Sequence, residues 1–162
     1  MRIVLVAFIV VLSSVSDSFS LGVRKISKTE LADILKNPSD KLHVINFWAT
    51  WCGPCVKELS DFQKVVNESD STKVDFRFVS LDFPSEADQK LEAFLKNNQY
   101  NFKVALMTET DYNSWIDLVD QNWQGNIPAT LFYNHADKKH QFISESIDQS
   151  KLVNTINSLL IN

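Results

Sequence analysis

The stretch Val44-Ile45-Asn46-Phe47-Trp48-Ala49-Thr50-Trp51-Cys52-Gly53-Pro54-Cys55-Val56-Lys57-Glu58-Leu59 constrains this chain more than any other. An apolar run rich in β-forming residues leads into two cysteines three apart, and a helical pattern follows at once. Both sulfurs therefore stand where a strand hands over to a helix. They are the only two cysteines in the 162 residues, so neither has another protein partner for a disulfide within the chain.

A cysteine attacks a disulfide only as the thiolate, and a helix N-terminus stabilises that anion through unpaired amide groups and the macrodipole. Cys52 stands at that end and is the expected nucleophile. Cys55 lies one turn on and faces the same way, so its sulfur can reach that of Cys52 and resolve a mixed disulfide with a partner. Gly53 allows another chain to approach closely, and Pro54 fits the first helical turn, where a missing amide proton costs little. The competing reading is a buried pair of unreactive thiols. Zinc would need two more ligands, and His43, His135 and His140 show no spacing that supplies them. Covalent haem would need a histidine after Cys55, where Val56 stands. The reading thus contains no metal and no cofactor.

The N-terminus reads separately from the rest. Arg2 precedes the apolar run Ile3 to Leu12, and small polar residues follow, the pattern of a secretory signal peptide. The run is shorter than the ~20 residues a membrane-spanning helix needs. Small residues at Ser14 and Ser16, and at Ser18 and Ser20, allow cleavage after Ser16 or after Ser20; an uncleaved anchor is the alternative. The expectation is a signal at residues 1–20 and one domain over residues 21–162, exported to a periplasmic or other extracytoplasmic space where disulfides persist. A lone Cys-x-x-Cys does little there as a structural staple, because the loop it closes is too short to constrain the unfolded chain. The formal net charge of −4, with no basic run, argues against a nucleic-acid partner.

Ser27-Lys28-Thr29-Glu30 has capping-box spacing and predicts a helix from Lys28 to about Lys36, ended by Asn37-Pro38. Leu42 to Phe47 is too continuously apolar for a half-exposed strand and should lie centrally in its sheet. Val56, Leu59, Phe62, Val65 and Val66 predict a helix from Cys52 to about Asn67. Strand patterns follow at Lys73 to Phe83, Tyr100 to Met107, Asn126 to Tyr133 and Gln141 to Glu145. Helical patterns run from Pro84-Ser85-Glu86 to about Asn97, from Tyr112 to Val119 and from Leu152 to Ile161. Alternating strands and helices with a closing hairpin predict an α/β fold with a central mixed sheet flanked by helices.

The run Asn46 to Cys55, followed far downstream by Ile127-Pro128-Ala129-Thr130-Leu131-Phe132, resembles the thioredoxin superfamily. Within it the sequence is most similar to the exported TlpA/ResA-like thiol:disulfide reductases, over roughly Ile26 to the C-terminus. The resemblance implies a thioredoxin-like fold with a TlpA-like strand–helix insertion, because Cys55 and Pro128 are farther apart than in a minimal thioredoxin. It implies that Pro128 is cis and lies against the cysteine pair, that the backbone at Ile127 pairs with the substrate chain, and that Trp51 offers partners an apolar surface. Asn46 stands where ordinary thioredoxins carry a buried aspartate. In the TlpA-like branch an acid three residues after the second cysteine takes a related place, and here that residue is Glu58. A buried Glu58 would have a raised pKa and could exchange protons with Cys55; an exposed one would be a solvated helix residue.

The function expected is a monomeric, exported reductase of protein disulfides, supplied with electrons by a membrane or soluble thiol donor. Gly-Pro between the cysteines leans to the reducing side. Cytochrome c maturation apoproteins, other secreted proteins and small disulfides all fit as substrates. The alternatives are an oxidase or isomerase on the same fold, a thiol peroxidase, and a non-catalytic thiol-binding module or metal chaperone. The peroxidase is disfavoured because the residues before Cys52 lack the Pro-x-x-x-Thr-x-x-Cys pattern of peroxiredoxins.

Overall fold

The computed structural model describes residues 23–85, 87–136 and 138–160; the signal reading of residues 1–20 falls outside them. β1 (Arg24–Ile26) leads into α1 (Lys28–Lys36), β2 (Leu42–Trp48), α2 (Gly53–Glu68) and β3 (Val74–Ser80). There follow α3 (Ala87–Asn97), β4 (Val104–Met107), a 3-10 turn (Tyr112–Ser114) and α4 (Ile116–Val119). The chain closes with β5 (Ala129–Asn134), β6 (Lys139–Ile143) and α5 (Gln149–Leu160).

Among the described residues the strands form one mixed sheet in the order β1-β4-β3-β2-β5-β6. The first four run parallel, and β5 and β6 are antiparallel to their neighbours. All seven residues of β2 are buried, which is why its sequence shows no polar alternation. Leu42, Val44 and Trp48 pack into one layer with Leu59 and Phe62 of α2, Leu91 and Leu95 of α3, and Leu152 and Ile156 of α5. Ile45 and Phe47 point into the opposite layer, against Leu31 of α1 and the group Trp115, Ile116, Val119 and Trp123. Each such fully buried side chain contributes on the order of 1.5–3 kcal/mol relative to exposure. The central position of β2 puts its C-terminal end, and the cysteines after it, between two well-anchored neighbours.

α1 has its expected bounds. Ser27 Oγ accepts from the Glu30 amide, and Glu30 Oε2 accepts from the Ser27 amide at 2.9 Å, closing the capping box. The insertion is helix then strand: α3 covers the sheet and β4 enters it between β3 and β1. Strand β1, with only three residues, was invisible to periodicity. Residues Tyr100 and Phe102 do not extend β4. Their rings stack on each other at 5.0 Å and Phe102 stacks on Phe78 at 4.0 Å, so they cover the sheet instead of pairing in it. The helix expected over Tyr112 to Val119 breaks at Trp115, whose indole is buried beside the indole of Trp123 and the phenyl ring of Phe47. β5 starts at Ala129 because Pro128, before it, has no amide proton to pair. α5 starts three residues earlier than the apolar pattern implied, since the Asp148 carboxylate accepts from the Lys151 amide at 2.8 Å and caps it.

At the end of β2 remote from the cysteines, Asp75 is held by His43 and Arg77 at 3.3 and 2.7 Å, with Lys103 also near. The His43 hydrogen bond, reinforced by Arg77 and Lys103, keeps the Asp75 carboxyl well below the usual range. No helix among the described residues is long and apolar enough to cross a membrane.

Candidate active site

β2 ends at Trp48, and the chain turns through Ala49, Thr50 and Trp51 before α2 begins at Gly53. This turn is tied to the end of β3 by Asp82, a buried carboxylate that sequence reasoning missed. Asp82 accepts from the Thr50 amide at 3.1 Å, from the Thr50 hydroxyl at 2.5 Å and from the Ser80 hydroxyl at 2.6 Å. Three donors onto one carboxylate leave the turn little freedom. The only signal available in sequence was Ser80 and Asp82, polar residues at the end of a strand whose preceding residues toward the cysteines, Phe78 and Val79, are apolar.

Cys52 is the N-cap of α2, and Pro54 stands in its first turn. The Cys55 amide donates to Cys52 Sγ at 3.3 Å, so the sulfur occupies the place of a capping oxygen. The two cysteines are joined in a disulfide. Cys52 is 6% exposed and Cys55 is fully buried, so an incoming nucleophile or partner meets Cys52 first. Trp51, Gly53 and Pro54 are exposed around it. A side chain built at Gly53 would meet no atom within 4 Å, so nothing within the fold requires a glycine there and the space is open to another chain.

Ile127–Pro128 is cis, and the Ile127 carbonyl oxygen lies 3.8 Å from Cys52 Sγ. The structure thus brings Cys52, Cys55, Trp51, Gly53, Pro54, Ile127 and Pro128 to one end of the sheet, where the resemblance had placed them. Ile127 is half-buried and Pro128 buried.

Glu58, which the sequence left evenly divided between buried and solvated, is buried at 3% exposure. It lies one turn beyond Cys55 on the buried side of α2. Asn46 Nδ2 donates to its Oε1 at 2.9 Å, and the Ser146 hydroxyl and Ile147 amide donate to Oε2 at 3.0 and 2.8 Å. Asn46 Nδ2 also donates to Thr130 Oγ1 at 3.1 Å, linking β2, α2 and β5 through one amide. Burial pushes the Glu58 carboxyl up, and the hydrogen bonds from Ile147, Asn46 and Ser146 hold part of the rise back.

The sign of that shift gives a measurable consequence. With its folded pKa above the ordinary 4.5, Glu58 binds more protons folded than unfolded, so its stabilising contribution is complete below 4.5 and is lost as pH rises through the folded value. Denaturant midpoints measured across that range should decline with pH in the wild type, and decline less in Glu58→Gln. Parallel slopes in the two proteins would contradict the shift.

A separate apolar cavity of about 360 Å3, lined among others by Ile26, Leu31, Ile45, Val79 and Ala105, reaches neither cysteine.

The sequence model of the AhpC/TSA family matches residues 15–139. Sporulation thiol-disulfide oxidoreductase A of Bacillus subtilis (strain 168) is 35% identical over 63 residues, which are 39% of this chain and 38% of that protein. The chain thus matches well under half the length of this curated relative. Among solved structures, StoA from Bacillus subtilis superposes with a TM-score of 0.56 at 25% identity, covering 74% of this chain and 84% of that one. A thioredoxin-related protein from Neisseria meningitidis serogroup B gives a TM-score of 0.66 at 22% identity, over 76% of this chain and 88% of that one.

Proposed function

From the chain's membership of the AhpC/TSA family, in the TlpA/ResA-like part of the thioredoxin superfamily, we propose that it is an exported oxidoreductase that reduces protein disulfides. The observation that carries this is Cys52 at the N-cap of α2, its sulfur accepting the Cys55 amide at 3.3 Å, with its resolving partner already bonded to it.

In the dithiol form, the Cys52 thiolate attacks one sulfur of a substrate disulfide. A mixed disulfide forms and the other substrate sulfur leaves as a thiolate that takes up a proton. Cys55, as thiolate, then attacks Cys52 Sγ, forming the Cys52–Cys55 disulfide and releasing the second substrate thiol. The substrate gains two electrons and two protons. A membrane or soluble thiol donor returns them to the cysteine pair.

In this reading Glu58 manages the proton of Cys55. A carboxyl with a raised pKa, next along the same helix face and out of bulk water, suits general acid–base exchange with a buried thiol. In the same reading Ile127 and Pro128 meet the substrate backbone and exposed Trp51 its side chains, which the cis Ile127–Pro128 bond beside Cys52 supports. The pattern at residues 2–20 supports export.

Equilibration of the pair against a glutathione redox buffer tests the direction. The expected potential is near thioredoxin's, about −270 mV, with reduction of insulin-type disulfides; a value more oxidising than about −180 mV, where protein disulfide isomerase sits, would turn the reading to an oxidase or isomerase.

A further inference from the structure

Large aromatic side chains in this protein are mostly inside: Trp48, Trp115, Trp123, Phe47, Phe62, Phe78 and Phe132 are all fully buried. Among the described residues, two stand out against that pattern. Trp51 is 57% exposed and Phe83 58% exposed, and their rings lie side by side with centroids 6.5 Å apart at 26°. Adjacent exposed aromatics are costly in contact with water and mark surfaces that become covered. Among the described residues none covers them.

Between the rings and the start of α3 is a cleft of about 250 Å3, lined by Thr50, Trp51, Asp82, Phe83, Ala87 and Lys90. Its floor is fixed, because Asp82 is bound to Thr50 at both the amide and the hydroxyl. The small side chain of Ala87, itself buried, leaves the room that a larger residue would fill. The cleft is therefore preformed, and its wall belongs partly to the helix that the insertion adds.

Its position names its occupant. In the sheet, β2 lies between β3 and β5. The Ile127 carbonyl approaches Cys52 from the β5 side, whereas Phe83 and Ala87 follow β3 on the other. A polypeptide whose backbone meets Ile127 and whose cysteine meets Cys52 must, if it continues across the site, pass Trp51 toward Phe83. The two rings are 6.5 Å apart, a step that about two residues of extended chain at ~3.3 Å each span. The geometry points to Phe83 as a specificity-determining residue: with Trp51 it forms a subsite that takes an apolar side chain, branched aliphatic or aromatic, within two residues of the substrate cysteine. This rests on the proposed thiol–disulfide exchange with polypeptide substrates, and it extends that reading from any accessible disulfide to those embedded in apolar sequence.

Two peptide disulfides test it, alike except that the first and second neighbours of the cysteine are leucine in one and serine in the other. The wild type should favour the leucine peptide by about tenfold in kcat/KM, carried mainly by KM, as burial of one apolar side chain in an open cleft implies. Phe83→Ser should bring the ratio within about twofold of unity, and Phe83→Leu should keep most of it. Because Phe83 is exposed, neither substitution opens the core. Equal use of both peptides by the wild type, or a preference that Phe83→Ser leaves intact, would overturn the subsite while leaving the exchange chemistry standing. If the wild type exchanges with neither peptide in either redox direction, the function itself is wrong and the subsite falls with it.

Discussion

Replacing Cys52 with alanine is expected to abolish disulfide reduction, and replacing Cys55 is expected to leave the protein covalently joined to its substrate. The asymmetry follows from burial and capping. Cys52 is at the helix N-terminus and partly accessible, whereas Cys55 is fully buried and reaches only Cys52. Without Cys52 no substrate disulfide can be attacked. With Cys55→Ala the first exchange proceeds but has no internal thiol to complete it, so the mixed disulfide persists. Non-reducing electrophoresis of the variants incubated with a disulfide protein, followed by mass spectrometry of the adduct, reads both outcomes. Adducts that form on Cys52→Ala, with none on Cys55→Ala, would reverse the roles of the two cysteines. The adducts would also identify the physiological substrates.

The second large effect concerns Glu58. Glu58→Gln keeps the shape of the side chain but can neither accept nor donate the proton of Cys55. The resolving step should slow by about 100-fold, the low end of what a positioned acid–base group supplies, while formation of the mixed disulfide on Cys52 changes little. Single-turnover kinetics separate the two steps, and the pH–rate profile of the resolving step should lose the limb set by Glu58. A purely structural Glu58 would show altered unfolding midpoints with both rate constants and the pH profile intact. The substitution also puts an amide NH2 where the carboxyl accepts from Asn46 on one oxygen or from Ser146 and Ile147 on the other, so the thermal midpoint belongs in the same experiment.

Much of this was legible in the chain because it is local. The Ser27–Glu30 box set the start of α1 through two hydrogen bonds spanning three residues. The unbroken apolar run of β2 announced a strand covered on both faces, and the cysteines announced the helix after it. Pro128 opposite the cysteines was legible only through family resemblance, since no local pattern distinguishes a cis from a trans prolyl bond. The burial of Glu58 was not legible at all. Its spacing from Cys55 put it on a face, but what covers that face is Ser146 and Ile147, 88 and 89 residues away. Asp82 was hidden for the same reason, since its meaning depends on Thr50 lying across from it. Strand β1 failed differently: three residues, two of them charged, carry too little periodicity to read, and pairing with β4 alone makes them a strand.

The dispersal of the site along the chain bears on how such a protein is made. Cys52 faces Ile127 across 75 residues, Asn46 meets Thr130 across 84, and Glu58 meets Ile147 across 89. A ribosome working at roughly 5–20 residues per second delivers the cysteines on the order of ten seconds before Ile147. Throughout that interval both thiols are present, but the partners that define their surroundings are still unsynthesised. A nascent or truncated chain ending before residue 127 would therefore carry an unguarded dithiol.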